Sequence, residues 1–575
     1  MIVEQELDAK RRDNIVLVNP PGIDDIDLPP IAGDSGASDT SDESRRFLAR
    51  FVEAARQDVR RYPQSAKPYI VLAQALSNAG DYDEAADNLE KALALEPVFQ
   101  ARYALAWVRL RQGNLMLARS LFNELANLRP RDSEPRVALA SIALDASDLQ
   151  EARYWAEQAI AIDTNDVGAH IVLGNTFLRL KLTDRAIGSF KAATRIEMRS
   201  AVAHYSLGIA YAVKGDTKRA ALALKTCLAV APRMAEAVHV LSRLLLHEAS
   251  LETVIELLNE RLEHDRNDYQ ARDLLAQALL RQHNYAGARR QLNLAYHSLV
   301  GAEPPDKAGL ARVANNLGVC YERTGDLAKA EHYFWLSTQH GPETGPVGFQ
   351  NLIRVRLHRS DLEGAEEVLR EAEGRYPSAP RLQYLRGLML CEQDKLEEAV
   401  EYLQNLLAAP TTDQAVFMLL ASALGEDLKR HQAAIEVLTA AEQRFGRSLF
   451  SANLLAYVHL MSGNVPAAQK VLSESYEGED ESAVMIATRG LLRLKLGDIE
   501  GGEAGYRQAA ELARRQGNHG LRDLALQKMH LELAREFIRR GVRDEGRDHL
   551  RRGLALPVKR GSYAKQLREL QASLQ

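Results

Sequence analysis

The sequence predicts an all-α chain in which tandem helix pairs stack side by side as a solenoid. Three observations predict it. Small residues recur at a near-constant period, the residues around them have helical spacing, and the composition favours helix. The recurring positions are Ala85, Ala118, Ala152, Ala186, Ala220, Val254, Ala288, Ala330, Ala365, Ala399, Ala434, Ala468 and Gly502. Their spacings are 33, 34, 34, 34, 34, 34, 42, 35, 34, 35, 34 and 34, and a weaker copy centred on Gly546 follows after 44. Chance does not hold phase through a dozen units. Alanine, leucine, arginine and glutamate dominate, which suits helix, and aromatics are only 6%. Length alone, at 575 residues, suggests three or four globular domains, an estimate that internal repeats void.

The chain opens with a stretch outside the period. Residues 1–44 carry eleven Asp/Glu against three Lys/Arg, and "PPGIDDIDLPPIAGDSGASDTSDES" is rich in Pro, Gly, Asp and Ser. This composition predicts a disordered acidic tail. "NIVLVNPPGIDDIDLPPI" alternates apolar with acidic or proline residues. It reads either as a solvating tail or as a linear motif for a partner or for this chain's own groove. Residues 45–65 read as one amphipathic helix capping the first repeat.

Each repeat reads as two helices. In 201–232, "AVAHYSLGIAYAVKGDTKRAALALKTCLAVAP", the first helix presents His204, Leu207, Gly208 and Tyr211 on one face. Gly215 breaks it. The second helix presents Ala220, Leu224 and Cys227, and Pro232 ends it. Gly208 and Ala220 are small so that the two axes can cross closely. One pair cannot bury its apolar face alone, so stacking supplies the core.

In this pattern the chain resembles the tetratricopeptide repeat family, W-x2-L-G-x2-Y, A-x3-F, P. Repeat eight carries Leu317, Gly318, Tyr321, Ala330, Phe334 and Pro342. Repeat one has Tyr69, Leu72, Ala73, Gly80, Ala85, Leu89, Ala92 and Pro97, and repeat four has Leu173, Gly174, Phe177, Ala186, Phe190 and Ala193. The resemblance runs over residues 66–513, with a degenerate unit to about 557. It implies a right-handed superhelix of about 13–14 repeats with first helices lining a concave groove. Repeats six and thirteen depart, with Ser242 and Val254 in one and Gly502 in the other, and are expected to pack less well.

Two breaks divide the array. Eight residues are added near 300–310, "LVGAEPPDKAGL", between repeats 1–7 (66–299) and repeats 8–13 (311–513). The insertion reads equally as a tolerated loop or as a hinge. Residues 514–575 read as a degenerate terminal repeat with basic capping helices. Within them, 535–570 hold eleven Lys/Arg against five Asp/Glu. The whole chain carries a net charge of −5, so its head is acidic and its tail basic.

Cys227, Cys320 and Cys391 are far apart, odd in number and form no CxxC, which argues against a disulfide framework or zinc site. The N-terminal residues lack the pattern of a signal peptide, and no apolar run approaches 18 residues. The expected compartment is the cytoplasm, and the style of the sequence suggests a bacterial source. There is no GxxxxGK[ST], HExxH, GxSxG or kinase signature set. The expectation is a chain that is no enzyme and holds no cofactor or metal.

The resemblance places positions 2, 5, 6, 9, 12 and 13 of each first helix on the groove. In repeat two these include Tyr103, Trp107 and Arg111. Trp107 reads as an aromatic anchor for a peptide or as a residue packed on its neighbours. Tyr205 in repeat five continues the apolar track. Repeats eight and nine place Asn316 and Asn351 at position 6, where amides can pair with any peptide backbone. This resembles two rungs of the asparagine ladder in O-linked N-acetylglucosamine transferases. Arg312, Arg323, Arg354 and Arg381 lie near and suit an acidic segment. A chaperone-tail carboxylate clamp is disfavoured, because Leu385 stands where a basic residue is needed. Nucleic acid is disfavoured by the mild overall charge. The basic C-terminus suits an acidic partner or self-association.

The function expected is a protein–protein interaction scaffold or adaptor that binds a partner peptide or helix in its groove. By family analogy it would serve assembly of a bacterial surface or secretion machine. The alternative is a regulatory protein whose acidic tail occupies its own groove until a partner displaces it.

Overall fold

The computed structural model describes residues 42–574 apart from 249–250, 302–304, 341–344, 360, 410–411, 475–481, 516–518 and 557–561. The acidic tail, except for its last three residues, lies outside the described residues. Every regular element among the described residues is helical. The chain divides at Ser298 and Leu299 into two compact units.

In the first unit the helix Asp42–Arg61 seats Val52, Ala55 and Val59 on repeat one. Seven pairs follow, from Ala66–Ala79 with Tyr82–Leu95 through to Tyr269–Arg281 with Tyr285–Val300. The second unit also holds seven pairs among the described residues. They begin with Lys307–Arg323 and Leu327–His340, and end with His519–Arg539 and Arg543–Ala555. Helix Ser562–Ala572 closes it.

Among the described residues, the turn between the two helices is built the same way in twelve repeats, and the turns of repeats six and nine include residues outside them. A left-handed residue ends the first helix, and an Asp or Asn next to it usually caps the second. Gly80, Gly113, Gly215, Gly325, Gly463, Gly497 and Gly541 supply the positive φ, which costs glycine least. Ser147, Lys181, His283, Asp394 and Lys429 adopt it too, with φ between 57 and 60°. The stacking geometry therefore imposes this conformation even on residues that disfavour it. The caps follow: Asp216 accepts from the Arg219 N–H at 3.1 Å, and Asp148 from that of Glu151 at 3.1 Å.

Packing within a pair follows the expected small-to-large fit. A Cβ on Gly318 would stand 2.6 Å from the Phe334 ring, and one on Gly208 would stand 2.7 Å from Leu224. Gly174 and Gly387 meet Phe190 and Leu403 in the same way. Repeat thirteen corrects one expectation. Gly490, Gly502 and Gly505 bring its two backbones together, with a Cβ on Gly505 only 3.0 Å from the Gly490 Cα. Gly502 thus tightens that pair instead of loosening it. In repeat six Val254 is fully buried, while the Ser242 hydroxyl is buried without a partner among the described residues. The one-residue longer step between Ala399 and Ala434 coincides with a π turn at Ala423–Asp427, which closes with Leu428 N–H donating to the Ala423 carbonyl at 3.0 Å.

First and second helices differ in surroundings. Within each unit first helices touch the first helices of neighbouring repeats, as in repeats three, four and five. Second helices pack mainly on first helices to either side. First helices are accordingly buried over most of their circumference. In repeat five Tyr205–Ala212 are all buried, whereas the second helix buries only Ala220, Ala223, Leu224 and Cys227.

Candidate functional site

The first-helix face of repeats two to seven combines an aromatic cluster with buried amides. In repeat two, Tyr103 and Trp107 are half-buried and stand edge-on to Phe122, at 6.3 and 5.3 Å between centroids. Trp107 therefore rests partly on its own second helix, with part of its ring exposed. The Tyr103 hydroxyl donates to Glu134 at 2.8 Å. Burial first, then the Glu134 and Asp132 charges, push this phenol well up, against an opposing contact from Trp107. Arg111 is exposed, and Tyr205 lies in the core at 2% exposure.

Further along this face, polar side chains are buried at groove-facing positions. Asn175, Ser206 and Gln277 are 0, 1 and 3% exposed. Among the described residues, both amide atoms of Asn175, the Ser206 hydroxyl and the Gln277 amide nitrogen have no hydrogen-bond partner. Native interiors rarely tolerate such groups. Beside them, the His239 ring lies 2.9 Å from Asp268, and Arg261 Nε donates to the same carboxylate at 2.7 Å. Burial alone would raise Asp268, but His239, the Ala271 N–H and Arg261 hold it at about 2.

In the second unit the structure joins Asn316 and Asn351 through a residue between them. Asn351 Nδ2 donates to Asn315 Oδ1 at 2.8 Å, and Asn315 Nδ2 donates to Asn316 Oδ1 at 3.3 Å. Arg354 donates to Asn351 at 3.3 Å and grips Glu322 with both terminal nitrogens. Arg312 is 6% exposed, and Arg323 is half-buried. Arg381 lies 4.7 Å over the Tyr384 ring. Sequence reasoning missed Asn315, although the adjacent "NN" was its signal.

It also missed a cluster at the C-terminal end of the same unit. Lys528 is buried, with Nζ 3.5 Å from the Tyr457 ring centre and 5.3 Å from that of Tyr563. Burial pulls its amine down to about 8, against the pull of Glu426 and Glu532. Glu532 accepts from Lys495 at 2.9 Å and Arg535 at 2.6 Å. Tyr563 comes from the closing helix, 106 residues beyond Tyr457, and the two hydroxyls stand 3.4 Å apart. Lys528 and Tyr457 hold positions 2 and 9 of their first helices, so this end of the face is filled by the chain's own last helix. No short-range pattern signals such a pairing.

Chemical machinery is sparse. Among the described residues no three His, Cys, Asp or Glu gather as metal ligands. Cys227 and Cys320 are buried and Cys391 is half-buried. Burial, then Glu236, pushes the Cys227 thiol up to about 11, which leaves it a poor nucleophile. No described helix is long and apolar enough to cross a membrane.

Stacked helix pairs with a left-handed turn and a small-residue crossing define the class: an α-solenoid. The chain is a tetratricopeptide-repeat protein, and the family's profile matches residues 70–135, 103–167 and 351–415. No curated relative matches it. Among solved structures it is similar to the APC/C hetero-tetramer Cut9–Hcn1, at 15% identity over 88% of this chain and 97% of that one, with a TM-score of 0.43. It is also similar to YrrB, described as a TPR protein with an unusual peptide-binding site, at 23% identity over 33% and 98% (TM-score 0.26). A tetratricopeptide repeat protein from Parabacteroides merdae matches at 17% identity over 45% and 98% (TM-score 0.36).

Proposed function

We propose that this chain is a non-catalytic scaffold that holds an extended polypeptide against the first-helix faces of its repeats. The repeat fold supports a role in protein–protein interaction. The observation that carries the finer reading is Asn175, whose amide is fully buried at a groove-facing position, with both donor and acceptor unpartnered among the described residues. Peptide main chain offers the complementary pair whatever its sequence. Ser206 and Gln277 repeat the arrangement on the first helices of repeats five and seven, as does Asn453 Oδ1 in the second unit. Tyr103 and Trp107 supply an apolar anchor beside them, with Arg111 at the rim. In the second unit Asn316 and Asn351 act on the partner backbone, and Arg312, Arg323, Arg354 and Arg381 favour acidic residues. Tyr205 supports this face from beneath.

Selection of a random displayed peptide library on the full-length chain tests the reading. Enrichment of peptides that bind wild type and fail on Asn175→Leu, Gln277→Leu and Trp107→Ala supports it. Peptides that bind all four proteins equally, or no enrichment at all, would overturn it.

A further inference from the structure

We propose that the closing helix Ser562–Ala572 is a tethered ligand on the first-helix face of repeats eleven to fourteen, and that an amphipathic helix from a partner takes the same seat in trans. The partner helix presents an aromatic residue with leucines four and seven places on, as Tyr563, Leu567 and Leu570 are spaced. Every residue involved lies in the second unit. The proposal concerns a helical ligand and stands apart from the extended-peptide reading that Asn175 carries in the first unit.

Placement supplies the first observation. A helix that merely ended the stack would touch repeat fourteen alone. Leu567 does so: Gly553 leaves room for it, since a Cβ there would stand 3.0 Å from the leucine side chain. Tyr563 goes further. Its hydroxyl stands 3.4 Å from that of Tyr457 in repeat twelve, and its ring centre lies 5.3 Å from Lys528 Nζ in repeat fourteen. Gln566 accepts from Arg535 at 2.6 Å. Tyr457, Lys528 and Arg535 hold positions 9, 2 and 9 of their first helices, which face the groove. Burial, then Glu426, Tyr457 and Tyr506 in turn, push the Tyr563 phenol up, so these groups stand near it. Glu426 holds position 12 of repeat eleven.

The quality of the fit supplies the second. Tyr563, Ala564 and Leu567 are buried, Gln566 and Leu570 are half-buried, and Lys565, Arg568 and Glu569 are exposed. That is the one-sided stripe by which helices dock in grooves, and here it is short. Beneath it the Lys528 amine is buried against the Tyr457 ring, away from the water it would otherwise bind. The Tyr506 hydroxyl is 0% exposed and has no partner among the described residues. Well-matched interiors rarely leave such a group. A tethered helix need not match its seat closely, because the chain that joins it keeps its local concentration high. A free helix that also satisfies Tyr506 can displace it.

The test compares full-length wild type with two full-length variants. Tyr563→Ala with Leu567→Ala removes the buried anchors, and Gln566→Arg sets a second guanidinium against Arg535 while leaving those anchors intact. A fluorescent synthetic peptide of residues 562–575 is the probe, and anisotropy is the readout. If the closing helix is a tethered ligand, both variants bind the peptide about tenfold more tightly than wild type. Adding Tyr457→Ala to Gln566→Arg weakens that binding, and the peptide carrying Tyr563→Ser does not bind. Equal affinity for all three proteins, or binding by none, would overturn the proposal. Loss of amide-exchange protection throughout His519–Arg539 and Arg543–Ala555 in both variants would make the helix a structural cap and overturn it too. So would a wild-type dimer in sedimentation that both variants abolish, which would assign the seat to a second copy. The Asn175→Leu selection reads the other unit, so the two readings fail separately.

Discussion

Replacing Asn175 with leucine should stabilise the first unit and cost it ligand. The side chain is 0% exposed and neither amide atom has a partner among the described residues. Each unsatisfied buried polar group costs about 1–3 kcal/mol. Leucine has similar volume and no polar atom, and its neighbours Ile171, Val172 and Leu173 are buried and apolar. The expected gain is about 1–3 kcal/mol in unfolding free energy, together with slower amide exchange in Val167–Ile196 and at least about tenfold weaker peptide binding. Urea unfolding followed by circular dichroism measures the first, and hydrogen exchange localises it. Thr176→Val is the control, because that hydroxyl donates to the Val172 carbonyl at 2.8 Å. It should cost about 1 kcal/mol. A loss of more than about 1 kcal/mol in Asn175→Leu would show that the amide is hydrogen-bonded in the unliganded protein, and would remove the main support for the peptide reading.

Four further outcomes are expected. Gly318→Val drives a side chain into the buried Phe334 ring and should cost about 1–3 kcal/mol, with exchange protection lost in repeat eight first. Lys181→Gly relieves a positive φ of 60° and should stabilise repeat four by up to about 1 kcal/mol in urea unfolding, whereas Gly215→Lys should do the reverse in repeat five. Asp268 is held at about 2, below the ordinary carboxylate value of about 4. Its contribution, about 2 kcal/mol, is therefore complete above about pH 4 and lost as pH falls toward 2, and Asp268→Asn should abolish that dependence. His530 faces His549 with Nδ1 atoms 2.9 Å apart, and burial, then the charges of His549, Arg552 and Arg507, hold it down to about 4. A lowered imidazole favours the fold above about pH 6.5 and disfavours it as pH falls toward 4. Exchange in Arg543–Ala555 should rise over that interval, and less so in His530→Gln.

Much of this was legible because a repeat protein states its rules many times. The aligned small residues recur as the crossings at Gly174, Gly208, Gly318 and Gly387. The glycines before Asp or Asn recur as left-handed turns with capped helices. Expectation failed where a rule depended on what lies opposite. Gly502 reads as a poor substitute for alanine until Gly490 is seen across from it, with Gly505 one turn along its own helix. For Trp107 the sequence leaves an anchor and a packed residue both open, and its edge-on contact with Phe122 depends on the helix opposite.

The sequence by itself determined the helix pairs, their period and the residues where paired axes touch. Those properties depend on neighbours within one repeat, and each repeat writes them out again. Only the tertiary structure decided which polar side chains are buried without partners, how Asn315 links Asn316 to Asn351, and that Tyr563 reaches Tyr457 beside Lys528. Burial at a given position depends on how successive repeats curve against one another, and that curvature sums small packing differences that no single repeat contains.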